Sequence, residues 1–244
     1  MSTNHWQQLF NAWSHLPMPV RVPADVIEAI KAEVAGITRP ILVLGLTSGL
    51  LDAGPDITAV DQSRGMVKDV WPGSAPGRRA VVADWLRLPF ATASFEACIG
   101  DGSLISFDYP ARLQLVLSEA ARCLKPRGKF ACRTFLAPDE AAGFAEIETA
   151  VHEKRMTCQI FKLRFAIAIA VELANPNVSV SSIPEFFDVR FPDRERLAAI
   201  TGWDRAEIDT ITTPSRSVWV TGSACAAAEY ARFPQHPMIS WRLR

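Results

Sequence analysis

Charge of neither sign is in excess: 26 lysines and arginines stand against 26 aspartates and glutamates over 244 residues. Binding a phosphate backbone demands a net basic surface, so this balance argues against a nucleic-acid partner. Histidine is scarce, with four, and the five cysteines (Cys98, Cys123, Cys132, Cys158, Cys225) fall at irregular spacings without a CxxC pair. That pattern gives no zinc cluster, and no metal site is expected. Three of the thiols sit in apolar runs and read as buried free cysteines in a reducing compartment. The opening MSTNHWQQLF lacks a basic stretch followed by an apolar run, so no secretion signal is visible. The most apolar helical stretch, 165–174, falls far short of the ~20 residues of a membrane span, and Lys162, Arg164 and Glu172 flank or interrupt it. A cytoplasmic chain without a membrane partner is expected. Internal repeats are absent, and so is a GxGxxG fingerprint, which argues against a dinucleotide oxidoreductase.

What is present is apolar material in two periods. Hydrophobic residues make up 49% of the chain, enough for a sizeable core. Trp6, Leu9, Phe10 and Trp13 have helical spacing over 4–15, which Pro17 ends. Pro23 opens a second helix over 24–35, with Val26, Ile27, Ile30 and Val34 on one face and Gly36 closing it. The pattern then shifts to short apolar runs at 41–44, 57–60, 80–83, 95–99 and 129–135, with helical segments at 63–70 and 110–124. Strands alternating with helices predict βαβ units, right-handed crossovers and a parallel sheet.

Beyond Pro138 the spacing predicts helices over 139–158 and 159–174 and a break at Asn175-Pro176-Asn177. An irregular aromatic stretch follows over 184–192, then a helix over 194–201, strands at 208–211 and 217–221, and a helix over 224–232. The whole reads as a single domain: N-terminal helices (1–36), a core (37–137), a helical cap or insertion (138–202) and C-terminal strands with a helix (203–244).

Polar residues stand at the carboxyl ends of the strands, the edge at which open α/β sheets bind ligands. Gly45, Asp61, Asp84 and Asp101 should converge there. In the first loop, Gly45-Leu46-Thr47-Ser48-Gly49, glycines let backbone approach a ligand. Gly54-Pro55 leaves little room for a following helix, and a poor helix N-terminus suits a ligand without phosphates. Asp61 can accept hydrogen bonds from both hydroxyls of a ribose, or cap the next helix. Asp84 can accept from an adenine amino group with Trp85 covering the ring; a turn and a core tryptophan are the alternative. Gly100-Asp101-Gly102-Ser103 is either backbone kept small beside a ligand or a tight turn, and the Asp101 carboxylate would face a cationic group or orient an acceptor.

Residues 41–135 resemble the class I S-adenosylmethionine (SAM)-dependent methyltransferases. ILVLGLTSG is similar to their first motif, ITAVDQS to the acidic second, VVADWLRLPFATASFEACIGDGSL to the third and fourth, and EAARCLKPRGKFACRTF to the fifth strand with its preceding turn. The resemblance implies an α/β fold, doubly wound, with a mostly parallel seven-stranded sheet including a late antiparallel strand. SAM is the implied cofactor. Gly45, Leu46, Thr47 and Gly49 would line its methionine part, Asp61 its ribose, and Asp84 with Trp85 its adenine. Gln62 and Met66 would be secondary contacts, and Asp101, Gly102 and Ser103 would close the far side. Two positions depart from the family: Val43 stands where an acidic residue is usual and Thr47 where a glycine is usual.

The function implied is methyl transfer to a small-molecule acceptor, driven mainly by positioning; a SAM-fold binding protein or partner subunit without catalysis is the alternative. A general base is needed only if the acceptor must lose a proton. His152 and Asp101 are the candidates, with His5 and His15 on the first helix behind them. Asp101-Gly102-Ser103-Leu104 lacks the Pro-Pro-aromatic run of enzymes that methylate nucleobase or glutamine amines, which counts against those acceptors. The apolar segment 158–174 and the aromatics of 186–191 would either roof an acceptor pocket or simply pack. Oligomeric state is left open, a homodimer included.

Overall fold

The computed structural model describes residues 22–134, 143–175, 177–179, 182–212 and 218–220. The helix expected over 4–15, His5 and His15, the segment 135–142, Cys225 and the helix expected over 224–232 lie outside the described residues.

Five strands form one sheet: β1 (Ile41–Leu44), β2 (Ile57–Asp61), β3 (Arg78–Val82), β4 (Phe95–Asp101) and β5 (Leu124–Arg133). Their order is β3-β2-β1-β4-β5 and every pairing is parallel. The chain runs outward from β1 to β3, then returns to the other side of β1, which puts the topological switch between β1 and β4. β1 and β2 are buried along their whole length, as strands covered on both faces must be.

Alternation along each strand divides the interior into two layers. Ile41, Val43, Ile57, Ala59, Ala97 and Ile99 face α1 (Ala24–Glu33), which contributes Val26 and Ile30. Leu42, Leu44, Val60, Cys98 and Cys132 face α2 (Ala111–Cys123), which contributes Leu113, Val116, Leu117 and Ala120. Pro23 stands before the first turn of α1 with extended backbone, and Gly36 follows the helix at φ 81°. The fifth strand begins five residues earlier than the apolar run suggested. Leu124 pairs with Phe95, the next partners are Ala97 and Lys129, and residues 125–128 bulge out between them.

The segment expected as a helix over 63–70 is a single wide turn, Met66–Val70, entered through the Ser63 hydroxyl, which accepts from the Met66 amide. The remaining described helices are α3 (Phe144–His152), α4 (Cys158–Glu172), α5 (Ile183–Arg190), α6 (Arg194–Thr201) and α7 (Arg205–Asp209). They enclose a separate core around Phe161, Phe165, Phe187, Phe191 and Ile208 that runs on through Ile211. Arg190 stacks on the Phe144 ring at 3.5 Å.

Three expectations for the second half change. Residues 184–192, read as irregular, contain α5: Pro184 sits in its first turn, where no amide is missed. In place of the strand expected at 208–211, Ile208 and Asp209 end α7, which the Asp204 carboxylate caps by accepting from the Ala206 amide at 2.7 Å, and Thr210 and Ile211 form the turn after it; Ile208 and Ile211 are both buried. The main sheet has five strands among the described residues rather than seven. β6 (Asn177–Ser179) and β7 (Val218–Val220) pair antiparallel with each other as a separate ribbon.

A side chain of the ribbon holds the segment between β4 and α2. Asn177 accepts from the Tyr109 amide (2.8 Å) and donates to the Tyr109 carbonyl (2.7 Å), so an amide side chain takes the place of a strand partner. Among the described residues no helix is long and apolar enough to cross a membrane, and no cluster of metal-ligating side chains is present. Cys98, Cys123, Cys132 and Cys158 are free and buried, as the sequence suggested.

Candidate active site at the strand tips

Parallel strands end on the same edge, so the tips of β3, β2, β1 and β4 lie side by side. At about 4.8 Å between neighbours they span roughly 14 Å, the scale of a nucleoside with a short side chain. The structure places Gly45, Asp61, Asp84 and Asp101 together along this edge, following β1, β2, β3 and β4 respectively.

Gly45 leaves β1 at φ 96°, a conformation that disfavours any side chain, and its amide donates to the Val60 carbonyl at 2.8 Å. Trp85 Nε1 donates to that same oxygen at 2.9 Å, and its ring lies 3.8 Å from where a Gly45 Cβ would stand. Trp85 therefore walls the loop on the α2 side, with Phe107 tilted against it at 5.9 Å. The next turn, Ser48–Leu50, is three residues long, and offers none of the stacked amides of a helix N-terminus that would cradle a pyrophosphate.

The other glycine of this loop has a different task. A Cβ on Gly49 would come 2.2 Å from Ile27 Cδ1, so α1 packs where a side chain would be. Leu46 and Met66 are buried in the α1 layer and offer the crevice backbone only, while Thr47 is buried and Gln62 half-buried beside the tips.

Asp61 is 7% exposed, and among the described residues the one hydrogen bond to its carboxylate comes from the Ser63 amide at 2.8 Å. Burial pushes its carboxyl up to about 6, with the Ser63 amide pulling in the opposite direction. No ion pair to Asp61 is found among the described residues. Asp84, by contrast, is exposed and accepts from the Leu86 amide at 3.0 Å, and its backbone carbonyl accepts from Arg87 at 3.1 Å.

Asp101 meets a residue that the sequence reading missed. Arg133 is its direct partner in the β4–β5 register, and the guanidinium grips the carboxylate through two bonds, Nε to Oδ1 and Nη2 to Oδ2, the second at 3.0 Å. Both side chains are buried. Burial raises the Asp101 carboxyl and Arg133 lowers it, the first effect being the larger. Only the parallel register brings these two together, and no local signal marks Arg133.

Gly100 is fixed by packing: a Cβ there would lie 2.8 Å from Ser103 Oγ, which donates to the Leu44 carbonyl at 2.7 Å and ties β4 to β1. Gly102 has φ 61°, and among the described residues a Cβ on it would meet nothing within 4 Å.

His152 is the exposed last residue of α3, in the helical layer, and among the described residues no hydrogen bond or ion pair ties it to the edge. Phe161, Phe165 and Phe187 do not roof a pocket. They are fully buried in their own core, so ordinary packing explains them.

Fold and edge together define a doubly wound domain that gathers Gly45, Asp61, Asp84 and Asp101 along one edge of its sheet. Residues 44–132, from the end of β1 to the end of β5, match the methyltransferase domain family. The match covers the parallel core and leaves the helices beyond β5 outside it. No match is found among curated proteins. Among solved structures the chain is similar to a putative methyltransferase in complex with the Trm112 methyltransferase activator of Haloferax volcanii, at 25% identity over 44% of this chain and 50% of that one, TM-score 0.38. It is also similar to a protein of Pyrococcus horikoshii, at 26% identity over 47% and 57%, TM-score 0.40. A SAM-dependent methyltransferase of Mesorhizobium loti aligns at 22% identity over 42% and 49%, TM-score 0.36. The chain thus spans about half the length of the solved structures it matches.

Proposed function

We propose that this chain binds SAM at the strand tips of β1, β2 and β4 and transfers its methyl group to a small-molecule acceptor. The observation that carries the reading is Asp61. A buried carboxylate that has, among the described residues, a single amide donor and no ion pair is costly in the free protein, and two vicinal hydroxyls would satisfy it. The surroundings fit the rest of such a ligand. Gly45 keeps its loop bare, Asp84 and Trp85 stand where an adenine would extend, and Gly102 leaves room on the β4 side.

SAM supplies a methyl group on a cationic sulfur, already activated for displacement. The residues of this chain hold the two reactants in line and exclude water. Asp101 does not act as a free base, because Arg133 occupies both of its oxygens. An acceptor that already carries a free nucleophilic lone pair needs no base from Asp101.

A second reading, a SAM-fold subunit without catalysis, is favoured by one observation. Val43, at the position where the family usually carries an acid, is fully buried among apolar neighbours. Titration calorimetry separates the two. Binding of both SAM and S-adenosylhomocysteine supports the methyltransferase reading, and binding of neither favours the second. Protection by NAD in thermal melting would instead point to an oxidoreductase.

A further inference from the structure

The segment that carries Asp84 and Trp85 has no regular structure, yet it is held at both ends. Its start continues the β2–β3 pairing, with the Ala83 amide donating to the Asp61 carbonyl at 3.0 Å. Trp85 is pinned to Val60, as described above. Its far end is held from α2, more than thirty residues along the chain. Glu119 Oε2 accepts from the Leu88 amide at 2.8 Å. Arg122 donates from Nη2 to the Leu88 carbonyl at 3.0 Å and from Nη1 to the Phe90 carbonyl at 2.7 Å. The two side chains also join each other, Nε to Oε1 at 2.8 Å and Nη2 to Oε2 at 2.9 Å.

An ion pair three residues apart on a helix contributes little by itself, because water competes for both ends. Here the pair is largely buried; the Arg122 fork donates to the Leu88 and Phe90 carbonyls, and the Glu119 carboxylate accepts from the Leu88 amide. Lysine carries one point charge and cannot reproduce that geometry. Between the Trp85 anchor and Leu88 only Leu86 and Arg87 remain, so α2 holds the far end of the short segment whose near end the sheet holds.

We infer that Glu119 and Arg122 are positioning residues for the adenine end of the cofactor site: they fix the 84–90 segment so that Asp84 meets the adenine amino group. This rests on the SAM reading above.

The test uses the full chain and two ligands, S-adenosylhomocysteine and S-inosylhomocysteine, whose base has oxygen in place of the amino group. Dissociation constants are measured by calorimetry for the unsubstituted chain, R122K and E119Q, with thermal melting to follow the fold. We expect R122K to weaken S-adenosylhomocysteine about tenfold and S-inosylhomocysteine less than about twofold. E119Q keeps an acceptor for the Leu88 amide and should give a smaller loss with the same selectivity. A merely structural role would weaken both ligands alike. Equal losses, or unchanged affinity for S-adenosylhomocysteine, overturn the inference, as does loss of the fold in both variants. If the unsubstituted chain binds neither ligand, the cofactor reading itself fails, which is a distinct result.

Discussion

Asp61→Asn should make the ligand-free protein more stable while it disables the site. Burial raises the Asp61 carboxyl from 3.8 to about 6, so keeping it ionised at neutral pH costs the fold about 3 kcal/mol. The folded state holds this proton more tightly than the unfolded chain. The penalty is therefore absent below about pH 4, grows between about pH 4 and 6, and is complete above that. Asparagine keeps the oxygen that accepts from the Ser63 amide and removes the charge. Allowing for imperfect solvation of the new amide, a gain of about 1–3 kcal/mol is expected at pH 8, or roughly 2–10 °C in melting temperature. The gain should fade as the pH approaches 4. Affinity for S-adenosylhomocysteine should fall at least about tenfold, as charge-assisted bonds to hydroxyls are lost. In the unsubstituted chain the same affinity should weaken as the pH drops below about 6, because the ligand needs the ionised carboxylate. Paired melting curves at pH 4.5 and 8, with calorimetry, read all three effects. A variant no more stable than the parent at pH 8, or a gain independent of pH, would refute the reasoning.

Arg133→Met leaves the buried Asp101 carboxylate without its partner and should cost about 3–5 kcal/mol in urea denaturation at pH 7. Adding Asp101→Asn should recover most of that loss. Asn177→Ala removes the partner of both Tyr109 backbone groups; about 1–3 kcal/mol should be lost, and exchange of the Tyr109 amide should accelerate. Gly49→Ala drives a methyl group into Ile27, for an expected loss of about 1–3 kcal/mol that Ile27→Val, which removes the clashing Cδ1, should partly restore.

The parallel core was legible because its strands are short aliphatic runs that stop at a glycine or an aspartate. Ile41–Leu44 and Ile57–Asp61 carry that signature, and the same stops mark the edge where Gly45 and Asp61 sit. The partner of Asp101 was not legible. Arg133 follows Cys132 with nothing in its neighbourhood to call it buried, and it meets Asp101 only through the register of β4 against β5. Glu119 and Arg122 show helical spacing, but spacing does not say which backbone they hold. Gly49 carries a packing reason that the sequence does not show: a side chain there would meet Ile27 of α1. In the second half, Ile208 and Ile211 fit a strand or one helical face equally well; Ile208 lies in α7, which the Asp204 carboxylate caps, and Ile211 in the turn after it. The aromatics at 186–191 pack on one another, because α5 turns Phe187 into a core shared with Phe161 and Phe165.

The most direct test is a crystal structure of the chain grown with S-adenosylhomocysteine. The account predicts both ribose hydroxyls within hydrogen-bond distance of the Asp61 carboxylate, the adenine beside Asp84 and Trp85, and the methionine part running over Gly45 toward Gly102. A ligand seated elsewhere, with Asp61 left bonded to the Ser63 amide alone, would contradict it.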